Sequence, residues 1–437
     1  MSLWELLVTI TPAVASALGA GLGLVSFTRP NAHPKATVFI IAIFLLTSFF
    51  TSDNLTSSST FNDNFTRFQL VGLGHIAYLH LYLSASEFSN SGGSLDEIKH
   101  HGSPKSDPRN WRFGYNLLCN PRCNLKPIRQ IILARRKQDR VQSGKPHDRD
   151  YSGKDAQSGT QTPQSRASFI AWRLLGLLGR YIILCIWFDP LLDLESFSSS
   201  GAPWNITDYA PERRLLFRKV PCLMGLCRTD TEVVTRQGLL ALNNLALVVV
   251  NCLTLDSYYD VLTIISVSLN LDPPEDWPPL FGDIREAYSV RRFWGRYWHR
   301  LIYHSFSAFG GSISTRLFAF KKGGQAARYA SNALVFVLSG VMHWFVEYSE
   351  LGECSDLGQI YYFTLHFVAI AAEEMFQMAL RAVEMRVSTD ANGHAWWRAL
   401  KRIVGYVWVA SVFMYAEEKF GYPTYYCLYG GVDEIAI

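Results

Sequence analysis

Charge is what this sequence has little of. Only 18% of its 437 residues are Asp, Glu, Lys or Arg, against about 25% in an ordinary soluble domain. That supply cannot furnish the water-facing surface of two or three soluble domains. The net charge of +4 is too small to mark a nucleic-acid binder. Eight cysteines are too few for a disulfide-built scaffold and leave the redox compartment open. The chain has neither a P-loop nor a G-x-S-x-G elbow, which removes the phosphate cradle and the nucleophilic serine those motifs supply. What it has is apolar side chains, 49% of the total, with 14% aromatic. A wholly disordered chain is excluded by that content. Mean hydropathy is only +0.07, so the apolar residues must be gathered into segments.

They are. Runs free of Asp, Glu, Lys and Arg cover Leu6–Phe27, Ala36–Ser52, Phe68–Ser86, Gln237–Leu255, Tyr329–Val346, Leu357–Ala372 and Ile403–Ala416. An eighth stretch, Ser168–Phe188, carries only Arg173 and Arg180. A helix crossing the hydrocarbon core needs about 20 apolar residues, and backbone polar groups in lipid must be satisfied within each segment. The pattern predicts an all-α fold, a polytopic transmembrane helix bundle of about eight spans. The first run is longer than a secretory signal core and follows no basic residues, so it reads as the first membrane helix. Val261–Leu271, at 11 residues, reads as a re-entrant or broken element. By composition the chain divides into N-terminal membrane helices (1–90), a basic and partly disordered loop (91–167) and a membrane core (168–437).

The loop 91–167 holds 15 Lys/Arg against 7 Asp/Glu, a net +8. Such an excess favours the cytosol. Three Asn-x-Thr sequons, at Asn54, Asn64 and Asn205, then fall in loops on the luminal side and are expected to carry glycans. The basic residues Arg213, Arg214, Arg218, Lys219, Arg228 and Arg236 sit in the same luminal loop as Asn205 and run against that assignment. The loop after residue 271 cannot be placed by counting spans.

Ionisable groups at membrane depth are functional candidates because their burial is costly. In Arg291–Arg300, a helix would put Arg292, Arg296 and His299 on one face, with Trp294 and Trp298 beside them. Two readings stand: a surface that takes phosphate groups, or an anchor of Trp and Arg at headgroup level. Periodicity alone favours the anchor. The second candidate is His343, near the end of an uncharged span, with Ser339 and Gly340 four and three residues before it. Small residues there leave room beside the imidazole for a ligand. The alternative is a histidine that only hydrogen-bonds within the bundle. His75 and His80 are five apart and share no helical face well, and no cysteine pair has the spacing of a zinc site. Glu373, Glu374 and Gln377 follow a span and read as a solvated helix end rather than as support for the site.

Trp277-Pro-Pro-Leu-Phe-Gly-Asp, then Glu286-Ala-Tyr-Ser-Val-Arg-Arg-Phe-Trp-Gly-Arg-Tyr-Trp-His299, then Ser339-Gly-x-x-His343 and Glu373-Glu-Met-Phe-Gln377 together resemble the wax synthase-like family of membrane-bound acyltransferases. The likeness is to its fungal branch that acetylates terpenoids and meroterpenoids. Related membrane-bound O-acyltransferases usually have Trp-Asn where this chain has Trp298-His299. The resemblance implies acyl transfer from acyl-CoA, acetyl-CoA first, to a hydroxyl of a hydrophobic alcohol in secondary metabolism. It implies His343 as general base, His299 as a group that orients the thioester, and Arg292, Arg296, Trp294, Trp298, Ser339 and Gly340 around the substrates. No bound cofactor, no metal and no nucleic-acid partner are expected, and the lipid bilayer of the endoplasmic reticulum is the expected setting. Transfer of a long fatty acyl group to a fatty alcohol or sterol uses the same residues. A membrane transporter is the reading from another class, but no internal repeat supports it.

Overall fold

A computed structural model describes residues 3–28, 34–52, 55–56, 59–82, 111–119, 165–188, 209, 231–387 and 395–430. Among them there are helices and turns but no strand. In chain order the helices are α1 (Leu3–Thr28), α2 (Pro34–Phe50), α3 (Ser59–Tyr82), α4 (Trp111–Leu118), α5 (Arg166–Ile183), α6 (Thr231–Ser268), α7 (Tyr303–Arg316), α8 (Gln325–Leu351), α9 (Gly358–Val387), α10 (Ala395–Ala416) and α11 (Tyr422–Gly430). Each of the eight apolar runs falls, in its described part, mainly on one long helix. Five helical stretches among the described residues are long and apolar enough to cross a membrane: Val8–Ser26, Arg166–Ile186, Leu240–Ser268, Gln325–Cys354 and Trp396–Cys427. The expected eight is not reached by that measure. Lys35–Phe50 is apolar but short, α3 opens with Asp63 and Arg67, and α9 turns charged at Glu373. The reading of Val261–Leu271 as a broken element is corrected: most of it is the last turns of the unbroken, 38-residue α6.

The chain forms two compact units, residues 1–164 with 300–350, and residues 165–299 with 351–437. In the first unit, α1, α2 and α3 are joined by polar bonds between otherwise apolar faces. Ser48, fully buried, donates to the Pro12 carbonyl at 2.7 Å. Ser26 meets His80 Nε2 at 2.8 Å, and Ser52 meets Thr66 at 2.7 Å. In lipid, where apolar surface gives helices no reason to associate, such bonds and close packing hold them together. His80 is thereby a structural partner of α1. Asn64 lies on α3 and is 6% exposed, beside a Thr66 hydroxyl already bonded to Ser52. A side chain packed in this way is no surface acceptor for a glycan, which corrects that expectation. Asn54, Asn205 and nearly all of the basic loop lie outside the described residues.

In the second unit, α5 shows how the charges of a span are managed. Trp172, Leu175, Leu178 and Tyr181 are each more than half exposed, as suits a face turned to lipid. Arg173 and Arg180, seven residues apart on the other face, reach α6. Arg173 bonds Asp260 at 2.5 Å, and Arg180 pairs with Asp256 at 3.0 Å and also with Asp260. Two guanidiniums and two carboxylates cancel. Cys354 and Cys427, with Cα atoms 5.5 Å apart, are joined by a disulfide.

Candidate functional site

The segment from Trp277 to His299 belongs to the second unit and is fixed from three sides. At its start, Arg173 donates to the Trp277 carbonyl at 2.8 Å, and the Tyr259 hydroxyl of α6 donates to the Pro278 carbonyl at 2.7 Å. In its middle, the Gly282 N–H donates to the Tyr297 carbonyl at 2.8 Å, and a Cβ at Gly282 would collide with the Arg296 carbonyl. Against α10, the Tyr406 hydroxyl donates to the Ile284 carbonyl at 2.9 Å. A Cβ at Gly405 would strike the Tyr288 carbonyl. These two glycines permit backbone approaches that no other residue allows.

Val290–Arg292 forms one α turn, capped by the Ser289 side chain, and Phe293–Tyr297 continues as a π turn. The Trp298 N–H closes it on the Phe293 carbonyl at 2.8 Å, and Trp298 then leaves in an extended conformation. The expected continuous helix through His299 is thus corrected. A π turn adds a residue per turn, so the i, i+4, i+7 stripe ends at Arg296, and His299 departs from it. Arg292 and Arg296 do converge, on the carboxylate of Glu286: Arg296 Nη1 lies 2.7 Å from Glu286 Oε2, and Arg292 pairs with the same oxygen. Burial alone would raise the Glu286 pKa. The hydrogen bond from Arg296 and the charge and hydrogen bond of Arg292 outweigh it and hold the carboxyl below its usual range. Arg296 remains 47% exposed at its side chain, so it can still meet a solvent-borne anion.

The aromatic partners look inward. Phe293 packs on Phe413 at 4.7 Å between centroids, and Trp294 stacks on Phe413 at 5.9 Å and meets His366 edge-on at 5.4 Å. Trp298 lies 5.5 Å from Phe293. Trp294 and Trp298 therefore join the core around Val290, Phe293, Val409 and Phe413, not a headgroup belt. His299 rests in an aromatic angle, 5.2 Å from Trp298 and 6.0 Å from Phe281.

His343 belongs to the first unit. It lies within the unbroken α8 and is partly buried, with Ser339 and Gly340 buried one turn before it and Met342 and Val346 buried beside it. The Ser331 hydroxyl, earlier on α8, reaches the Ser307 carbonyl of α7 at 3.5 Å. The small residues expected next to His343 are thus present on the inward face of that helix.

Residues 277–365 match the family model described as "Membrane bound O-acyl transferase family". The matched segment contains every candidate catalytic and substrate-binding residue named above, from Arg292 to His343. The acetyltransferase aurG of Calcarisporium arbuscula is 33% identical over 171 residues, 39% of this chain and 40% of that protein. The acetyltransferase spyB of Aspergillus fumigatus is 34% identical over 166 residues, 35% of this chain and 27% of that protein. The acetyltransferase atnC of an Arthrinium species is 32% identical over 268 residues, 60% of this chain and 54% of that protein. The chain thus spans about half or less of the length of these curated relatives. No solved structure matches it significantly. Residues 277–365 are thus similar to membrane-bound O-acyltransferases, and parts of the chain to fungal proteins named acetyltransferases.

Within this acyltransferase-like segment, sequence reasoning missed two supports. Glu373, read as solvated, is 8% exposed. Its Oε2 accepts the Val290 N–H at 2.9 Å, and its Oε1 accepts from Gln377 at 2.9 Å. A carboxylate at the first N–H of the Arg-bearing turn satisfies an orphan donor and complements the turn's dipole. Arg291 pairs with Glu374 at 3.0 Å. The spacing of 83 residues hides both contacts, though two acidic residues directly after an apolar run were a usable signal. The Arg173–Trp277 bond, across 104 residues, had none.

Proposed function

We propose that this chain is an acyl-CoA-dependent O-acyltransferase that acetylates a hydroxyl of a hydrophobic terpenoid or meroterpenoid alcohol in secondary metabolism, in the endoplasmic reticulum membrane. The observation that carries the reading is the conjunction, in one matched segment, of the Phe293–His299 motif and a span that places Ser339 and Gly340 beside His343. Three relatives named acetyltransferases support acetyl as the transferred group. In this mechanism His343 takes the proton of the acceptor hydroxyl as its oxygen attacks the thioester carbon. The tetrahedral oxyanion collapses, the C–S bond breaks, and the CoA thiolate leaves with the electron pair. The resemblance gives His299 the role of orienting the thioester or of stabilising the oxyanion. The thioester is already activated, so no acyl-enzyme is required.

The test is incubation of membranes bearing the chain with labelled acetyl-CoA, labelled palmitoyl-CoA and a panel of terpenoid alcohols. The expected result is acetyl ester formation on at least one alcohol. Ester only from palmitoyl-CoA would assign long-chain transfer instead, and no ester from either donor, with folded protein present, would overturn the reading.

Arg296 supplies a finer expectation. Arg296→Ala should raise KM for the acyl-CoA more than KM for the alcohol, because an exposed guanidinium beside the motif suits the CoA phosphates. Arg296→Lys should recover only part of the loss, since an ammonium cannot replace a bidentate fork. Steady-state kinetics with each substrate varied in turn checks this, and an unchanged KM for acyl-CoA in the alanine variant removes Arg296 from the donor site.

A further inference from the structure

The second unit has two chemically different ends, and its own packing tells them apart. At one end, the early turns of α6 meet the C-terminal helix. Leu240 packs with Tyr209 and Tyr422, and Asn244 donates to the Tyr422 hydroxyl. The start of α9 is at the same end, where Tyr361 stacks on Phe420 at 5.8 Å. The Cys354–Cys427 disulfide joins the segment before α9 to α11 there.

At the other end lie the last turns of α6, with Asp260 and Tyr259 tied to Trp277 and Pro278 through Arg173 and the tyrosine hydroxyl. Glu373, deep in α9, caps the Val290 turn here, and the early part of α10 touches the motif through Gly405 and Tyr406. Helix α5 runs antiparallel to α6, because Arg173 reaches Asp260 while Arg180 reaches back to Asp256. Its N-terminus at Arg166 therefore emerges at the motif's end, and the basic stretch 91–167 leads into it in the sequence. From Leu240 to Asp260 is 20 residues of continuous helix, about 30 Å, which is the thickness of a bilayer's hydrocarbon core.

We propose that this unit crosses the membrane with the Cys354–Cys427 end in an oxidising lumen and the Trp277–His299 end in the cytosol. Two independent signals agree. Disulfides form and persist in oxidising compartments and are rare in the cytosol. Lys and Arg gather on cytosolic loops, and the stretch 91–167 that leads into α5 carries 15 of them against five in residues 189–230 that follow it. The five basic residues near 213–228 are balanced by six acidic ones in the same loop. The motif thus faces the compartment that supplies acyl-CoA. That last consequence rests on the proposed activity, while the sidedness does not.

The experiment uses the full chain in sealed microsomes and needs no turnover, so its failure is separate from failure of the acyltransferase reading. A specific protease site is inserted at residues 389–393, between α9 and α10, and protease is added outside. Cleavage without detergent is expected, because both flanking helices meet the motif's end there. Non-reducing peptide mapping of the unaltered chain, alkylated on lysis, should recover Cys354 and Cys427 as one linked peptide. A site cut only after detergent, or the two cysteines recovered as free alkylated thiols, overturns the assignment.

Discussion

Changing His343 to glutamine is expected to remove nearly all acyl transfer while the protein still inserts and accumulates. Loss of general-base assistance lowers turnover by about 10²–10⁴-fold. Glutamine keeps a polar group of similar size but takes up no proton at neutral pH, so it separates a base from a hydrogen-bonding residue. His343→Ala should behave alike, because alanine suits helix and lipid better than histidine does. The rest of the helical run Tyr329–Val346 is uncharged, and it keeps its length without the imidazole. Turnover is read at matched protein levels in membranes, with saturating acyl-CoA so that a change in donor affinity is not mistaken for lost chemistry. A glutamine variant working at near the wild-type rate would make His343 a structural partner within α8 and leave the proposed proton transfer without its acceptor.

The helices were legible because lipid imposes a simple rule: a span must be long, apolar and internally bonded. Each uncharged run became a helix for that reason. What periodicity could not reveal was where one helix continues through a polar stretch. Residues Asp256 to Asp260 look like an interruption of α6, yet they are its charged face toward Arg173 and Arg180. The motif was legible as a set of residues and not as a shape. A 3.6-residue period across Arg291–Arg300 puts His299 on the arginine face, and the π turn at Phe293–Tyr297 removes it. Glu286, six and ten residues before Arg292 and Arg296, stands in the motif, but no local period shows it as their shared carboxylate. The Cys354–Cys427 pair was equally silent, since partners 73 residues apart leave no local spacing.

The four-charge cluster between α5 and α6 sets the second large effect. Asp260 is 2% exposed at its side chain and serves both Arg173 and Arg180. Asp260→Ala leaves two guanidiniums facing each other with only the peripheral Asp256, and breaking a buried pair in this way costs about 3–5 kcal/mol. Most of the variant should be lost to aggregation or degradation, and what survives should unfold at a clearly lower temperature in detergent. Replacing the cluster as a whole is a different experiment. Arg173→Met, Arg180→Leu, Asp256→Leu and Asp260→Leu together remove no net charge, and apolar substitutes for a compensated cluster are often neutral or stabilising. The quadruple variant should therefore fold and insert. It still loses the guanidinium that holds the Trp277 carbonyl, while the Tyr259 bond to Pro278 remains. Under the proposed function its expected signature is a normal unfolding temperature with impaired turnover. Restoring only the Arg173–Asp260 pair should return activity, because that pair alone carries the bond to Trp277. Should the quadruple variant turn over normally, the cluster only neutralises its own charges, and the loop is positioned by α10 and Glu373 instead.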